Sequence, residues 1–233
     1  MNRKLAIYCD FDGTITERDV IDAFLERFAS ADWMAIEENW KLGKISSRDC
    51  LRQQLKCVPA LAHPEIEEFL KEIKIDPYFL NLLNYSQENA IPFYIVSDGF
   101  DWFIQSVLRN NGIENLPLFS NVLRWTTKGL IPSFPLASQS CRTGSGVCKC
   151  KVVEASQENY FKIYIGDGRS DFCVAPSADL LFAKGSLKHY CETQRIEYRD
   201  FTSFRDVMAV LEPLVTDRAR MRLGQPLNSQ FVD

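Results

Sequence analysis

Three short segments, each standing where an apolar run gives way, carry residues able to do chemistry together. The first is Asp10-Phe11-Asp12-Gly13-Thr14, directly after Leu5 to Cys9. Residues two apart in extended backbone point the same way, so both carboxylates can face one reacting group. Gly13 lets the chain turn sharply and approach a ligand. The second is Ser97-Asp98-Gly99, between the run Phe93 to Val96 and a helical pattern. There a hydroxyl and the free N–H groups of a helix N-terminus make a seat for phosphate. The third, Gly166-Asp167-Gly168-Arg169-Ser170-Asp171, sets two carboxylates four apart beside a glycine-flanked turn, a donor set suited to a hard cation. Alone, each segment also reads as an ordinary turn or N-cap. Three such ends in one chain point to one site.

The elements that must position these residues follow from periodicity. Leu5–Cys9, Phe93–Val96, Phe161–Ile165 and Leu180–Ala183 have the length of buried strands, and Glu197–Phe201 extends the set. Continuous apolar strands separated by helices predict an α/β fold, a three-layer Rossmann-like parallel sheet with helices on both faces. Ligands of such sheets bind outside the carboxyl ends of the strands, where the three segments lie. One-faced apolar spacing marks helices at Val20–Phe28, Phe100–Leu108 and Phe204–Leu211. Residues 17–90 read as almost wholly helical, too long for a crossover. An inserted helical cap over 17–90, between core segments 1–16 and 91–213, accounts for that length. Asn121 to Thr126 returns after Lys128-Gly129 as a hairpin, and residues 214–233 are expected to form a flexible tail.

Composition narrows the class. The 233 residues are 46% hydrophobic and 25% charged, the balance of a soluble domain, and the net charge of -4 argues against nucleic acid or an anionic membrane as partner. No apolar run reaches the length of a membrane span, and the N-terminal stretch is too short for a signal peptide. Eight scattered cysteines suggest a reduced, cytoplasmic protein. Cys141, Cys148 and Cys150 are one thiol short of a closed zinc site and read as a reduced loop. Nothing here indicates oligomeric state.

The order of these segments resembles the haloacid dehalogenase superfamily of phosphohydrolases, from Asp10 to about Phe204. Its first motif stands intact at Asp10 to Thr14, its Ser/Thr motif matches Ser97, and its last motif matches Gly166 to Asp171. The remaining motif is one lysine. Lys149 and Lys151 both precede an apolar helix start, and spacing favours Lys149. The resemblance implies a Mg²⁺-dependent phosphatase of small phosphorylated metabolites. Asp10 is then the nucleophile and Asp12 the general acid/base. Mg²⁺ is held by Asp10, the Asp12 carbonyl and Asp167, while Ser97, Gly99 and Lys149 hold the phosphate. Thr14 and Asp171 support them.

A helical insertion between the first two motifs resembles the phosphoserine-phosphatase-like branch. That branch carries a glutamate seven residues after the second aspartate, where this chain has Asp19. Further stretches resemble the phosphatases of methionine salvage that act on a methylthio-ketopentenyl phosphate. These are Asp10–Thr16 with Asp19, Phe28-Ala29 with Trp33-Met34-Ala35, Ile91–Tyr94, Cys148-Lys149, Asp179–Lys184 and Tyr190-Cys191. Phosphatases of phosphoserine, polyol or vitamin phosphates, and a catalytically silent binding protein, are the alternatives. Asp98 stands where glycine is usual, and its carboxylate should repel phosphate unless it turns away. Trp33 and Trp40 read first as cap core, Arg48 and Arg52 as a solvated face, and Arg169 as a candidate substrate contact. His63 and His189 have no catalytic neighbour in sequence.

Overall fold

The computed structural model describes residues 3–59, 63–126, 129–155 and 160–222. Seven strands form one sheet: β1 (Lys4–Cys9), β2 (Phe93–Phe100), β3 (Leu118–Thr126), β4 (Gly129–Ser133), β5 (Tyr160–Gly166), β6 (Leu180–Ala183) and β7 (Arg199–Asp200). Their order is β4-β3-β2-β1-β5-β6-β7, parallel throughout except for the β3–β4 hairpin. β1 is central, hydrogen-bonded to β2 and, over its whole length, to β5.

Strand alternation explains why both faces are covered. Leu5, Ile7 and Cys9 join Ile95, Ile163, Ile165 and Phe182 in one buried cluster, whereas Ala6 and Tyr8 join Val96, Tyr164 and Leu181 in a second. With period two and apolar residues at both parities, neither face can be left to water.

Nine helices are described: α1 (Val20–Phe28), α2 (Trp33–Lys41), α3 (Ser47–Gln54), α4 (His63–Lys71), α5 (Phe79–Glu88), α6 (Asp101–Asn110), α7 (Lys149–Glu154), α8 (Gly185–Gln194) and α9 (Phe204–Arg222). Asp19 starts α1 by accepting the Asp22 N–H at 2.9 Å, and Ser46 starts α3 by accepting the Asp49 N–H. α1 meets the sheet layer through Phe24 edge-on to Phe103 of α6, ring centroids 5.0 Å apart. Although α5 lies in the expected insertion, its Phe79 packs on Phe93 of β2 and Phe204 of α9.

Two sequence expectations change. The helix expected to stop at Pro213 runs through it to Arg222, with Leu214 and Val215 packed on the core and Arg218 donating to the Arg3 carbonyl at 2.7 Å. Residues 214–222 are therefore helix rather than tail, and 223–233 lie outside the described residues. The second strand does not end at Val96 but continues to Phe100, its register against β3 shifting between Val96 and Phe100. Such a bulge re-aims side chains, and Ser97, Asp98 and Gly99 sit within it. Among the described residues, no helix is long and apolar enough to cross a membrane.

Candidate active site

The carboxyl ends of β1, β2 and β5 converge with the start of α7 on the floor of a cleft of about 560 Å³. Asp10, 4% exposed, leaves the end of β1 and accepts at Oδ1 from the Phe11 N–H (2.7 Å) and from Lys149 Nζ (2.8 Å). Its Oδ2 has no hydrogen bond among the described residues. Gly13 follows at φ +69°, and a Cβ there would stand 2.5 Å from Asp167 Oδ2, so only glycine brings the two loops this close.

Lys149 is the first residue of α7, fully buried, and spans two carboxylates: Asp10 at 2.8 Å and Asp171 at 2.6 Å. Burial opposes its charge, yet Asp10 and Asp171 hold the ammonium well above the ordinary lysine value. Lys151 is exposed on the same helix. Asp171 is saturated. Its Oδ1 accepts from Lys149 and the Tyr164 hydroxyl (2.5 Å), and its Oδ2 from the Asp167 and Gly168 N–H groups.

Asp12 accepts at Oδ1 from the Val20 N–H (3.0 Å) and at Oδ2 from Ser97 Oγ (3.2 Å). Burial first, then the charge of Asp19, pushes its carboxyl well above the usual range. Ser97 is wholly buried and accepts the Gly99 N–H at 2.9 Å. A Cβ on Gly99 would lie 2.4 Å from Asp12 Oδ2. Thr14 Oγ1 donates to Asp167 Oδ1 at 2.9 Å.

Carboxylate oxygens of Asp10, Asp167 and Asp171 all lie within 4.8 Å of one another. Three carboxylates meet one ammonium, which leaves an excess of negative charge. Burial and then Asp171 raise Asp10 well above the usual range and push Asp167 up to about 7. A cation among them relieves that repulsion, so the residues fit a divalent ion. Both Asp171 oxygens already accept from donors, so Asp10 and Asp167 are the carboxylates of the group that could hold it.

Asp98 does turn from the floor. Its Oδ2 accepts from Ser47 Oγ of α3 (2.5 Å), its Oδ1 from the Val147 N–H (2.8 Å), and its carbonyl from Asn121 Nδ2. Arg169 reaches across the cleft to the Trp40 and Lys41 carbonyls at the end of α2 and lies 5.7 Å from the Trp40 ring, so it joins two walls. Trp40 lines the cleft, while Trp33 packs against the core cluster. The facing wall also carries Asp19, Asp22 and Glu37. Tyr164 and Ser47 were not foreseen. Tyr164 lay inside an apolar run, where its phenol had no visible partner, and Ser47 meets Asp98 only through tertiary packing.

The fold is shared with solved structures and the sequence with curated proteins. A structure of phosphoserine phosphatase with a phospho-aspartyl intermediate analogue superposes with TM-score 0.66 at 20% identity, over 90% of this chain and 98% of that one. A substrate-bound phosphoserine phosphatase complex does so at 0.67 and 19%, over 89% and 98%. The chain is 30% identical over 215 residues to 2-hydroxy-3-keto-5-methylthiopentenyl-1-phosphate phosphatase of Brevibacillus brevis, covering 91% of this chain and 97% of the relative. It is 30% identical to the Geobacillus thermodenitrificans enzyme of the same name, covering 92% and 98%. The family described as Putative Phosphatase matches residues 5–222. The chain therefore belongs to that family and is a phosphoric monoester hydrolase.

Proposed function

We propose that the protein is a Mg²⁺-dependent phosphatase working through an aspartyl phosphate on Asp10, with 2-hydroxy-3-keto-5-methylthiopentenyl-1-phosphate as its substrate. The observation that carries the mechanism is geometric: Asp10 has its Oδ1 held by Lys149, and Asp12, two residues on, has its Oδ2 held by Ser97. Asp10 Oδ2 attacks phosphorus, and the bond to the leaving oxygen breaks as Asp12 gives that oxygen its proton. Asp12 then takes a proton from water, whose oxygen attacks the same phosphorus, freeing Asp10 and inorganic phosphate. Lys149, Ser97 Oγ and the Gly99 N–H hold the phosphoryl oxygens. Bound by Asp10, the Asp12 carbonyl and Asp167, Mg²⁺ supplies the positive charge that lets an anion approach an anion.

The substrate assignment rests on the relatives' activity and their near full-length match. A second reading is favoured by the wall of Asp19, Asp22 and Glu37. Burial and then Asp19 push Asp22 up to about 7, so an amine on the leaving group, as in phosphoserine, would relieve that crowding. Rates for a panel of phosphorylated metabolites, ranked by kcat/KM with and without EDTA, separate the readings. Turnover unaffected by EDTA would sink the Mg²⁺ assignment, and a top-ranked amine ester would replace the salvage substrate. Acid-quenched wild type should carry one phosphoryl group on the peptide bearing Asp10, and Asp10→Asn should carry none. Wild-type rates in Asp10→Asn would overturn the nucleophile.

A further inference from the structure

Asp98 stands between Ser97 and Gly99 in the β2 bulge, yet its side chain serves other segments. Oδ2 accepts from the hydroxyl of Ser47, the first residue of α3, at 2.5 Å. Oδ1 accepts from the Val147 N–H at 2.8 Å and from Asn121 Nδ2 of β3 at 3.3 Å. The same Nδ2 donates to the Asp98 carbonyl at 2.5 Å. The β2 bulge, α3, β3 and the approach to α7 thus meet at one residue. Val147 lies two residues before the buried Lys149, so this contact ties the bulge to the segment that delivers the ammonium.

The surroundings of Asn121 show what this junction demands. Asn121 is fully buried, and among the described residues its Oδ1 is the one enclosed side-chain oxygen with no hydrogen bond. An enclosed acceptor without a donor destabilises a fold. Turning the amide over would not relieve it, because Oδ1 would then face the Asp98 carbonyl and carboxylate, both acceptors. The amide is held with its donor end on Asp98. A Cβ on Gly146 would clash with both amide atoms of Asn121, so glycine there lets the chain before Val147 lie against it. Ser47 and Val147 are buried as well, which keeps water from competing for the carboxylate.

We propose that Asp98 is a positioning residue that locks the bulge carrying Ser97 and Gly99 to the segment carrying Lys149, so that the phosphate-holding groups keep one spacing. This rests on the reading above in which Ser97, Gly99 and Lys149 hold the phosphoryl group. Ser47 and Asn121 fix the Asp98 carboxylate, and Ser47 also ties the α3 wall of the cleft, with Cys50, Leu51 and Gln54, to the same point. In this role Asp98 touches no reacting atom. It acts through the groups on either side of it and through Lys149.

The test is steady-state kinetics of the full chain with Mg²⁺ on p-nitrophenyl phosphate and on an alkyl phosphate, with urea unfolding of every variant. Asp98→Ala should lower kcat/KM by about 10²-fold, equally for both esters, because the phosphoryl seat is common to them. Its inhibition constant for inorganic phosphate should rise. Asp98→Asn keeps an oxygen for Val147 and Asn121 and an amide that Ser47 can accept from, so it should stay within about fivefold of wild type. Ser47→Ala should cost about tenfold alone and nothing further in Asp98→Ala, since both act through one joint. Wild-type kcat/KM in folded Asp98→Ala, a loss confined to one ester, or losses that multiply in the double variant would overturn the proposal. So would tighter phosphate binding in Asp98→Ala, which would make Asp98 a repelling charge and nothing more. Should Asp98→Ala not fold, wild-type kcat/KM in Ser47→Ala overturns it, and a tenfold loss shared by both esters supports it. Unchanged kcat/KM in Ser97→Ala and Lys149→Ala would instead refute the reading of the phosphate seat, a failure distinct from any in the Asp98 series.

Discussion

Replacing Lys149 by alanine tests whether the fold and the reaction depend on the same ammonium. Its Nζ stands 2.8 Å from Asp10 and 2.6 Å from Asp171, with no part of the side chain exposed. At an effective dielectric constant near 20, each contact is an attraction of about 6 kcal/mol. Removing water from three ionised groups offsets most of it, and losing one partner of such a buried pair costs about 3–5 kcal/mol. Lys149→Ala should therefore lose about that much stability in urea unfolding, while Lys151→Ala, on the exposed side of α7, should stay within about 0.5 kcal/mol of wild type. The loss should depend on pH with a definite sign. Without the ammonium, Asp10 rises further above its unfolded value, so the native variant binds protons more tightly than the unfolded chain. Its stability falls as pH rises through the folded pKa and recovers as pH drops towards 4. The gap between variant and wild type should narrow on acidification. A loss below about 1 kcal/mol, or one that widens at low pH, would refute this reasoning.

Three further outcomes follow from particular contacts. Tyr164→Phe removes one donor to Asp171 and should cost about 1.5–3 kcal/mol in urea unfolding, the range for a hydrogen bond to a charged group. Asp12→Asn should lower kcat/KM far more for alkyl phosphates than for p-nitrophenyl phosphate, whose leaving group departs without a proton. Equal losses would contradict its role as acid. Gly99→Ala places a methyl 2.4 Å from Asp12 Oδ2 and should cut kcat/KM by about 10²-fold, with unfolding midpoint separating misplacement from misfolding.

Much of this was legible in the sequence for identifiable reasons. The runs at Leu5–Cys9 and Leu180–Ala183 are buried on both faces, so they are apolar at every position, and such runs declare themselves. The reacting carboxylates follow at strand ends, where chain order and space coincide. What stayed hidden depends on contacts between distant segments. Pro213 reads as a helix stop, yet packing by Leu214 and Val215 carries α9 past it. Asp98 looked repulsive because Ser47, Val147 and Asn121, which occupy it, come from three other parts of the chain.

The central position of β1 has a consequence for synthesis. The strand that leads into Asp10 leaves the ribosome before both strands that flank it, β2 at Phe93 and β5 at Tyr160. At about 5–20 residues per second, the stretch from Cys9 to Tyr160 takes roughly 8–30 s to appear. Until β2 appears β1 has neither ladder edge paired, and until β5 appears one edge stays open, while the helices destined for residues 20–88 can form locally. Nascent chains should thus engage holding chaperones through the apolar residues of β1, and release should coincide with the arrival of β5, the same event that brings Asp167 to Asp10.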